Sequence, residues 1–292
     1  MIIISMKRFI ITADTGSGKI YQTKVAKSME ILCSKHKNIK SVFLLGDNIY
    51  PSGCKDVNDE QFKTKFEDIY QNIDLSFYLC LGNHDYGLSY NLLSKDFLRN
   101  NSLVQIEYSK HSKKWNMPSK YYNVIRPPCE YFMIDTNFDV LSESVIQKQL
   151  HAVQSMIQNS KQPWKILCGH HTFRSVGGHG NADKRFEQFM NDLLKPSNCH
   201  IDFYMCGHDH CKCMIDTSVN NKSFTCLVIG TGGKEYEKIF SLKKLEKAPT
   251  KSELSFYSPN LGVCLMEATK TEIKLICFNE SLQEEYRHVL TK

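Results

Sequence analysis

The chain has 292 residues, by length about two domains or one large α/β unit, and its 8 Pro and 15 Gly are scattered with no linker or low-complexity tract at which to divide it. Lys and Arg number 37 against 31 Asp and Glu, a formal charge of +6 spread thinly and without the interleaved aromatic residues of a single-strand platform, which leaves nucleic acid a minor alternative as partner. No run approaches the about 18 apolar residues of a membrane span, and Met1 to Met6 lack the basic start of a cleaved leader. The expectation is one domain over residues 1–292, monomeric, soluble and intracellular, in the cytoplasm, with its 12 Cys reduced.

In chain order, Phe9-Ile10-Ile11 reads as a short buried strand leading to Asp14-Thr15-Gly16, and Val25, Met29 and Leu32 follow at helical spacing. Val42 to Leu45 is a second strand, stopping at Gly46 and presenting Asp47 and then Tyr50. Phe62, Phe66, Ile69 and Ile73 predict an amphipathic helix that crosses back to a third strand, Phe77 to Leu81, which leads to Gly82-Asn83-His84-Asp85. Two crossovers in succession make a βαβαβ unit of right-handed sense. A helix is predicted around Tyr90 to Leu98, then a mixed stretch to Ser119.

From Tyr121 the strands shorten: Tyr121 to Ile125 and Tyr131 to Asp135, broken by Pro127-Pro128. Ile146, Leu150, Val153 and Ile157 define a further helix before the strand Ile166 to Cys168 and its Gly169-His170-His171. Phe203 to Cys206 leads to Gly207-His208-Asp209-His210, and the remainder is strand-like at Cys213 to Ile215, Thr225 to Ile229, Gly262 to Glu267 and Ile273 to Phe278. Two packed sheets with helices outside both is the economical arrangement.

Five strands thus end on a small residue and then a hard oxygen or imidazole, at the carboxyl edge where open α/β sheets hold ligands. The candidates are Asp14, Asp47, Tyr50, Asn83, His84, His170, His179, His208 and His210. One metal with an open position needs only three protein ligands, so two ions sharing a carboxylate fit this number better, with Asp47 as the bridge. Cys211-Lys212-Cys213 has the wrong spacing for a zinc knuckle, His171 reads as a pocket wall, and His151 and His200 as surface residues.

The blocks Asp14-Thr15-Gly16, Gly46-Asp47-Asn48-Ile49-Tyr50, Gly82-Asn83-His84-Asp85, Gly169-His170 and Gly207-His208-Asp209-His210 resemble those of the calcineurin-like metallophosphoesterases. A Tyr three residues after the bridging Asp narrows the resemblance to the purple acid phosphatases. Trp115 to Ser119 and a His nine residues beyond His170 are similar to the short, tartrate-resistant type. By motif the resemblance runs from Phe9 to His210, and more loosely to Phe278.

The resemblance implies a four-layer α/β/β/α sandwich of two mixed sheets flanked by helices. It implies a ferric ion on Asp14, Asp47, Tyr50 and His210, and a divalent ion (iron, zinc or manganese) on Asp47, Asn83, His170 and His208. His84 and His179 would contact the phosphate and protonate the leaving oxygen, and Asp85 would orient the His84 ring. The implied activity is that of an acid phosphatase acting on phosphate monoesters, of small molecules or phosphoproteins, by attack of metal-bound hydroxide. The site's net positive charge draws a phosphate dianion, and a ferric ion keeps hydroxide available at acid pH. A phosphodiesterase or nuclease on the same scaffold is the alternative, and a non-catalytic phosphoprotein-binding scaffold a distant third. Ala13 stands where the family has Gly and Thr15 where many members have an aromatic residue, and the short Asp135 to Ser142 segment implies a less covered site.

Overall fold

The computed structural model describes residues 6–87, 95–234 and 239–292, with 95–100 described by backbone only. The first half of the first sheet is the expected βαβαβ unit. Strand β1 (Lys7–Thr12) passes through helix α1 (Ile20–Lys35) to β2 (Ile39–Leu45), and β2 returns to β3 (Ser76–Cys80), each pair parallel.

The second crossover departs from the sequence expectation. Helix α2 has three residues, Glu60–Phe62, and runs into a π-helical turn, Lys63–Glu67, in which Asp68 N–H donates to Lys63 O at 2.9 Å. Of the expected stripe Phe62, Phe66 and Ile73 are nonetheless buried and Ile69 is half-buried, with Tyr70 buried in addition, because a widened turn and the turns after it keep that apolar side against the sheet. Helix α3 spans Lys95–Tyr108, so the earlier part of the helix predicted from Tyr90 lies outside the described residues. Strand β4 (Trp115–Asn116) follows.

The second sheet begins with the hairpin β5 (Tyr122–Arg126) and β6 (Cys129–Met133). A second pair of crossovers, through α4 (Glu143–Asn159) and α5 (Lys184–Leu193), adds β7 (Trp164–Cys168) and β8 (Phe203–Cys206) in parallel. Then come β9 (Lys212–Val219), β10 (Lys222–Ile229), a short α6 (Lys243–Glu246) and β11 (Glu253–Ser258). The chain re-enters the first sheet with β12 (Gly262–Ala268), β13 (Glu272–Asn279) and β14 (Glu284–Thr291). The sheet orders are β14-β13-β12-β1-β2-β3-β4 and β11-β9-β10-β8-β7-β6-β5, each seven-stranded and mixed. Strands β11 and β14 were not foreseen. Both are sheet edges with partly exposed faces, so their apolar pattern is weak.

Period-two alternation lets one sheet serve two cores. In β6, β7 and β8, Tyr131, Met133, Ile166, Cys168, Phe203 and Met205 belong to the cluster between the sheets, where Tyr131 stacks on Phe43 with ring centroids 3.9 Å apart. Their neighbours Phe132, Leu167, Tyr204 and Cys206 join the cluster under α4 and α5. Burial on both faces is why these strands read as unbroken apolar runs. The 12 cysteines are free, 11 of them buried. Among the described residues no helix is long and apolar enough to cross a membrane.

Candidate metal centre

The carboxyl ends of β1, β2 and β3 meet those of β7 and β8, and the five ligand-bearing loops close on one another there. Backbone bonds hold the loops together within each sheet: Asp14 N–H donates to Gly46 O at 3.0 Å in the first, and Gly169 N–H to Met205 O at 3.1 Å and Gly207 N–H to His170 O at 3.0 Å in the second. Asp14, Asp47 and His208 all have left-handed backbones, with φ of 57°, 52° and 69°. Non-glycine residues take that conformation at a cost, and at functional sites it re-aims the side chain off the strand direction.

Two glycines make the approach possible. A Cβ at Gly82 would lie 2.2 Å from Asp47 Oδ1, and one at Gly207 would lie 2.3 Å from Asp14 Oδ2. At these two strand ends the missing side chain makes room for the carboxylate of a neighbouring loop, and at Gly46 for the His170 ring, whose Nδ1 would lie 2.5 Å from a Cβ there.

The donors fall into two groups. In the first, Asp14 Oδ1 accepts from Tyr50 Oη at 2.8 Å, and His210 Nε2 lies 3.4 Å from Tyr50 Oη and 3.5 Å from Asp14 Oδ1. In the second, His170 Nε2 lies 3.2 Å from Asn83 Oδ1 and 3.4 Å from Asp47 Oδ1. Ligand atoms of Asp14, Asp47 and His170, all three buried, lie within 4.8 Å of one another, which joins the groups. His208 is attached through its backbone, whose N–H donates to Asp14 Oδ2 at 2.9 Å, while its ring lies 5.1 Å from that of His170. His170 Nδ1 donates to Leu45 O at 2.9 Å, which fixes the tautomer and leaves Nε2 turned to the site.

The electrostatics fit cations. Burial alone would raise the Asp47 carboxyl, but the charge and hydrogen bond of His170, with His84 behind it, bring it below the usual carboxylate range. Burial alone would lower His170, yet Asp47 and Asp14 push it up to about 10, so without a metal a proton occupies Nε2. Burial, then Asp14 and Asp47, hold the Tyr50 phenol well above its ordinary value, a burden that a cation between these groups removes. Burial and the surrounding histidines keep His208 neutral and ready to coordinate. Carboxylate, phenol, amide and imidazole donors suit iron, manganese or zinc.

His84 and His179 flank the donors on opposite counts of the loops. The His84 ring packs against Tyr50, centroids 4.4 Å apart, with Nε2 3.8 Å from Asp47 Oδ2. The expectation for Asp85 needs correction: His84 Nδ1 bonds Pro51 O at 2.7 Å. Asp85 is wholly buried and accepts from Asn48 N–H (2.9 Å), Ile49 N–H (3.1 Å), Gly82 N–H (2.8 Å) and Gln105 Nε2 (2.8 Å). Its carboxylate ties the Asp47 loop to the Asn83 loop, and the backbone donors reach it first because the chain turns back on itself between Gly82 and Asp85.

The His179 ring stacks on that of His208, centroids 3.8 Å apart. Its Gly-rich loop is held down, His179 N–H donating to Asp209 Oδ1 at 2.6 Å and Lys244 Nζ of α6 donating to Gly177 O and, at 2.5 Å, Gly178 O. His171 is the expected wall, its Nδ1 2.8 Å from Thr136 Oγ1, and His151 and His200 are exposed. The short 135–142 segment forms the facing wall through Thr136 to Asp139, with Phe138 buried.

Sequence reasoning missed Asn48, Thr136, Asp209 and Lys244. Asp209 had a signal, a carboxylate between two ligand histidines. Lys244 had none, being one lysine of a lysine-rich stretch.

The Calcineurin-like phosphoesterase family model matches residues 7–212. Purple acid phosphatase 4 of Arabidopsis thaliana is 27% identical over 283 residues, covering 94% of this chain and 80% of that protein. Tartrate-resistant acid phosphatase type 5 of Homo sapiens is 28% identical over 210 residues, 64% of this chain and 58% of the human protein. Among solved structures, GAP50, described as the anchor in the inner membrane complex of Plasmodium, aligns with a TM-score of 0.76 at 19% identity over 98% of this chain and 89% of that one. Purple acid phosphatase PPD1 from yellow lupin (Lupinus luteus) seeds aligns with a TM-score of 0.72 at 14% identity, over 98% and 54%. Both structural likenesses speak for the fold.

Proposed function

The chain belongs to the calcineurin-like phosphoesterase family, and on that premise we propose that it is an acid phosphatase of the purple type, hydrolysing phosphate monoesters with one ferric and one divalent ion. The observation that carries this reading is the pair of donor groups joined at Asp47, one of which contains the Tyr50 phenol. Asp14, Tyr50 and His210 with Asp47 would hold the ferric ion, and Asn83, His170 and His208 with Asp47 the iron, zinc or manganese. When bound, such a pair supplies Lewis acidity toward the phosphoryl oxygens and acidifies water.

The chain's own residues supply the rest. Asp47, fixed by His84 N–H at 2.9 Å, keeps the two donor groups in register. Tyr50, once ionised, adds the negative charge that favours the higher oxidation state. His84, with Nδ1 on Pro51 O, has Nε2 to hold a proton and pass it to the departing alcohol. His179 is placed by Asp209 to contact the same oxygen from the side of His208.

Fold likeness alone would equally suit an anchor, as GAP50 is described, because fold does not fix function. The complete donor set favours catalysis. Diester hydrolysis on the same residues is the alternative.

The test is the visible spectrum and metal content of the purified protein, with rates at acid pH on 4-nitrophenyl phosphate and bis(4-nitrophenyl) phosphate. A violet band, absent in Tyr50→Phe, with about two metals per chain and faster monoester turnover supports the proposal. A colourless dinuclear protein that prefers the diester overturns it in favour of the alternative.

A further inference from the structure

On the His179 and His208 side of the donors, the loops after β6 and β7 enclose a cavity of about 160 Å3. With a water taking about 30 Å3 of liquid, that is room for about five non-hydrogen atoms, the alcohol part of a small ester. Its position gives it a use: both His179 and His208 line it, so a group inside borders the leaving oxygen that His179 would contact.

The walls say what that group is. Phe138 and Phe186, ring centroids 5.4 Å apart, form an apolar side. Asn137 lines the cavity with its side chain held from behind, Nδ2 donating to Leu81 O at 3.3 Å and to Asp135 Oδ1 at 2.9 Å. At the rim stand Asp139 and Asp183, the latter held in place because its Oδ1 accepts from Phe186 N–H at 2.8 Å.

Among the described residues the lining contains no Lys or Arg. Arg185 is directed to Phe138 O at 2.7 Å, and the ammonium groups of Lys234 and Lys120 lie over the rings of Tyr50 and Tyr86, neither of which lines the cavity. Apart from the metals at the donors, a second anionic group on the alcohol would meet two carboxylates and no cationic side chain of the described lining, whereas an ammonium or hydroxyl group would find acceptors.

We propose that this cavity receives the alcohol part of the phosphate ester and selects small alcohols bearing a cationic or neutral hydrogen-bond donor over those bearing a further anion. The inference rests on the phosphomonoesterase reading above. It is tested with the metal-loaded protein at low ionic strength, comparing kcat/KM on phosphoethanolamine, glycerol 2-phosphate and 3-phosphoglycerate. The expected order is ammonium, neutral, carboxylate, with about tenfold or more between the extremes. The double variant Asp139→Asn, Asp183→Asn, which keeps an N-cap side chain on α5, should compress that range to about threefold.

Equal rates in the parent, a preference for 3-phosphoglycerate, or a range unchanged in the double variant overturns the proposal. If glycerol 2-phosphate itself is not hydrolysed, the activity reading fails, and the cavity is then judged by binding. In the zinc-loaded protein the His171 and His179 ring NMR signals should shift at lower concentrations of phosphoethanolamine than of 3-phosphoglycerate, and the reverse order refutes the selectivity.

Discussion

Gly82→Ala is the sharpest perturbation of the centre, because it adds one methyl group and removes no ligand. The new Cβ would stand 2.4 Å from Asp47 N and 2.2 Å from Asp47 Oδ1. Ordinary contact is about 3.5 Å, so the β2 and β3 loops must part by about 1 Å. Asp47 cannot yield by turning its side chain alone, since the backbone nitrogen is also in the way and its φ of 52° is already strained. Overpacking of this kind costs about 1–3 kcal/mol, within the roughly 5–15 kcal/mol that keeps a domain folded. A reactive geometry displaced by about 1 Å loses about 100-fold in rate. The expected result is a folded protein with reduced metal content and kcat/KM on 4-nitrophenyl phosphate down by about two orders of magnitude. Gly262→Ala is the control: its Cβ would lie 1.9 Å from Phe278 O, crowding a strand but none of the donors named above, so stability should fall while metal is retained. If Gly82→Ala keeps its metals and turns over within about threefold of the parent, the idea that glycine clearance positions Asp47 is wrong.

Three further outcomes follow from the same geometry. Burial lowers His170 but Asp47 raises it to about 10, against an ordinary 6.5; the stability this pairing gives the metal-free protein is therefore full below about pH 6.5 and lost as pH rises through about 10. Metal uptake at neutral pH should then release about two protons per chain, one from His170 and one from the Tyr50 phenol, and tighten as pH rises, read with a pH indicator; uptake without proton release in Tyr50→Phe removes the His170–Asp47 ion pair. Lys244→Met should free the His179 loop and lower kcat about tenfold at unchanged metal content, with Lys244→Arg recovering part of it; steady-state kinetics at the parent rate would show the loop needs no clamp. Asp85→Asn should cost about 2–3 kcal/mol in thermal denaturation by turning an amide toward backbone N–H groups, whereas His84→Gln should leave stability within about 0.5 kcal/mol and lower kcat; the opposite ranking would return Asp85 to a role on the His84 ring.

The candidate donors were legible in the sequence because most follow an apolar run buried on both faces, and such a run ends where the sheet ends. That rule and the preference of metals for oxygen and imidazole gave Asp14, Asp47, Tyr50, Asn83, His84, His170, His179, His208 and His210 as candidates, and only the family resemblance divided them into metal ligands and phosphate contacts. The amphipathic stripe of Phe62, Phe66, Ile69 and Ile73 announced burial correctly at three positions and in part at Ile69, but announced neither the buried Tyr70 nor the π turn, since periodicity reports which side faces the core and not how the backbone is wound. Which donors stand together was decided by the tertiary structure. The Asp85 carboxylate bonds Asn48, Ile49 and Gly82 rather than the adjacent histidine ring, and Lys244 reaches a loop more than 60 residues before it. Contacts of this kind leave no local pattern, because a carboxylate or an ammonium takes whichever donors or acceptors the packed loops bring within 3 Å, and only the meeting of the two sheets determines what those are.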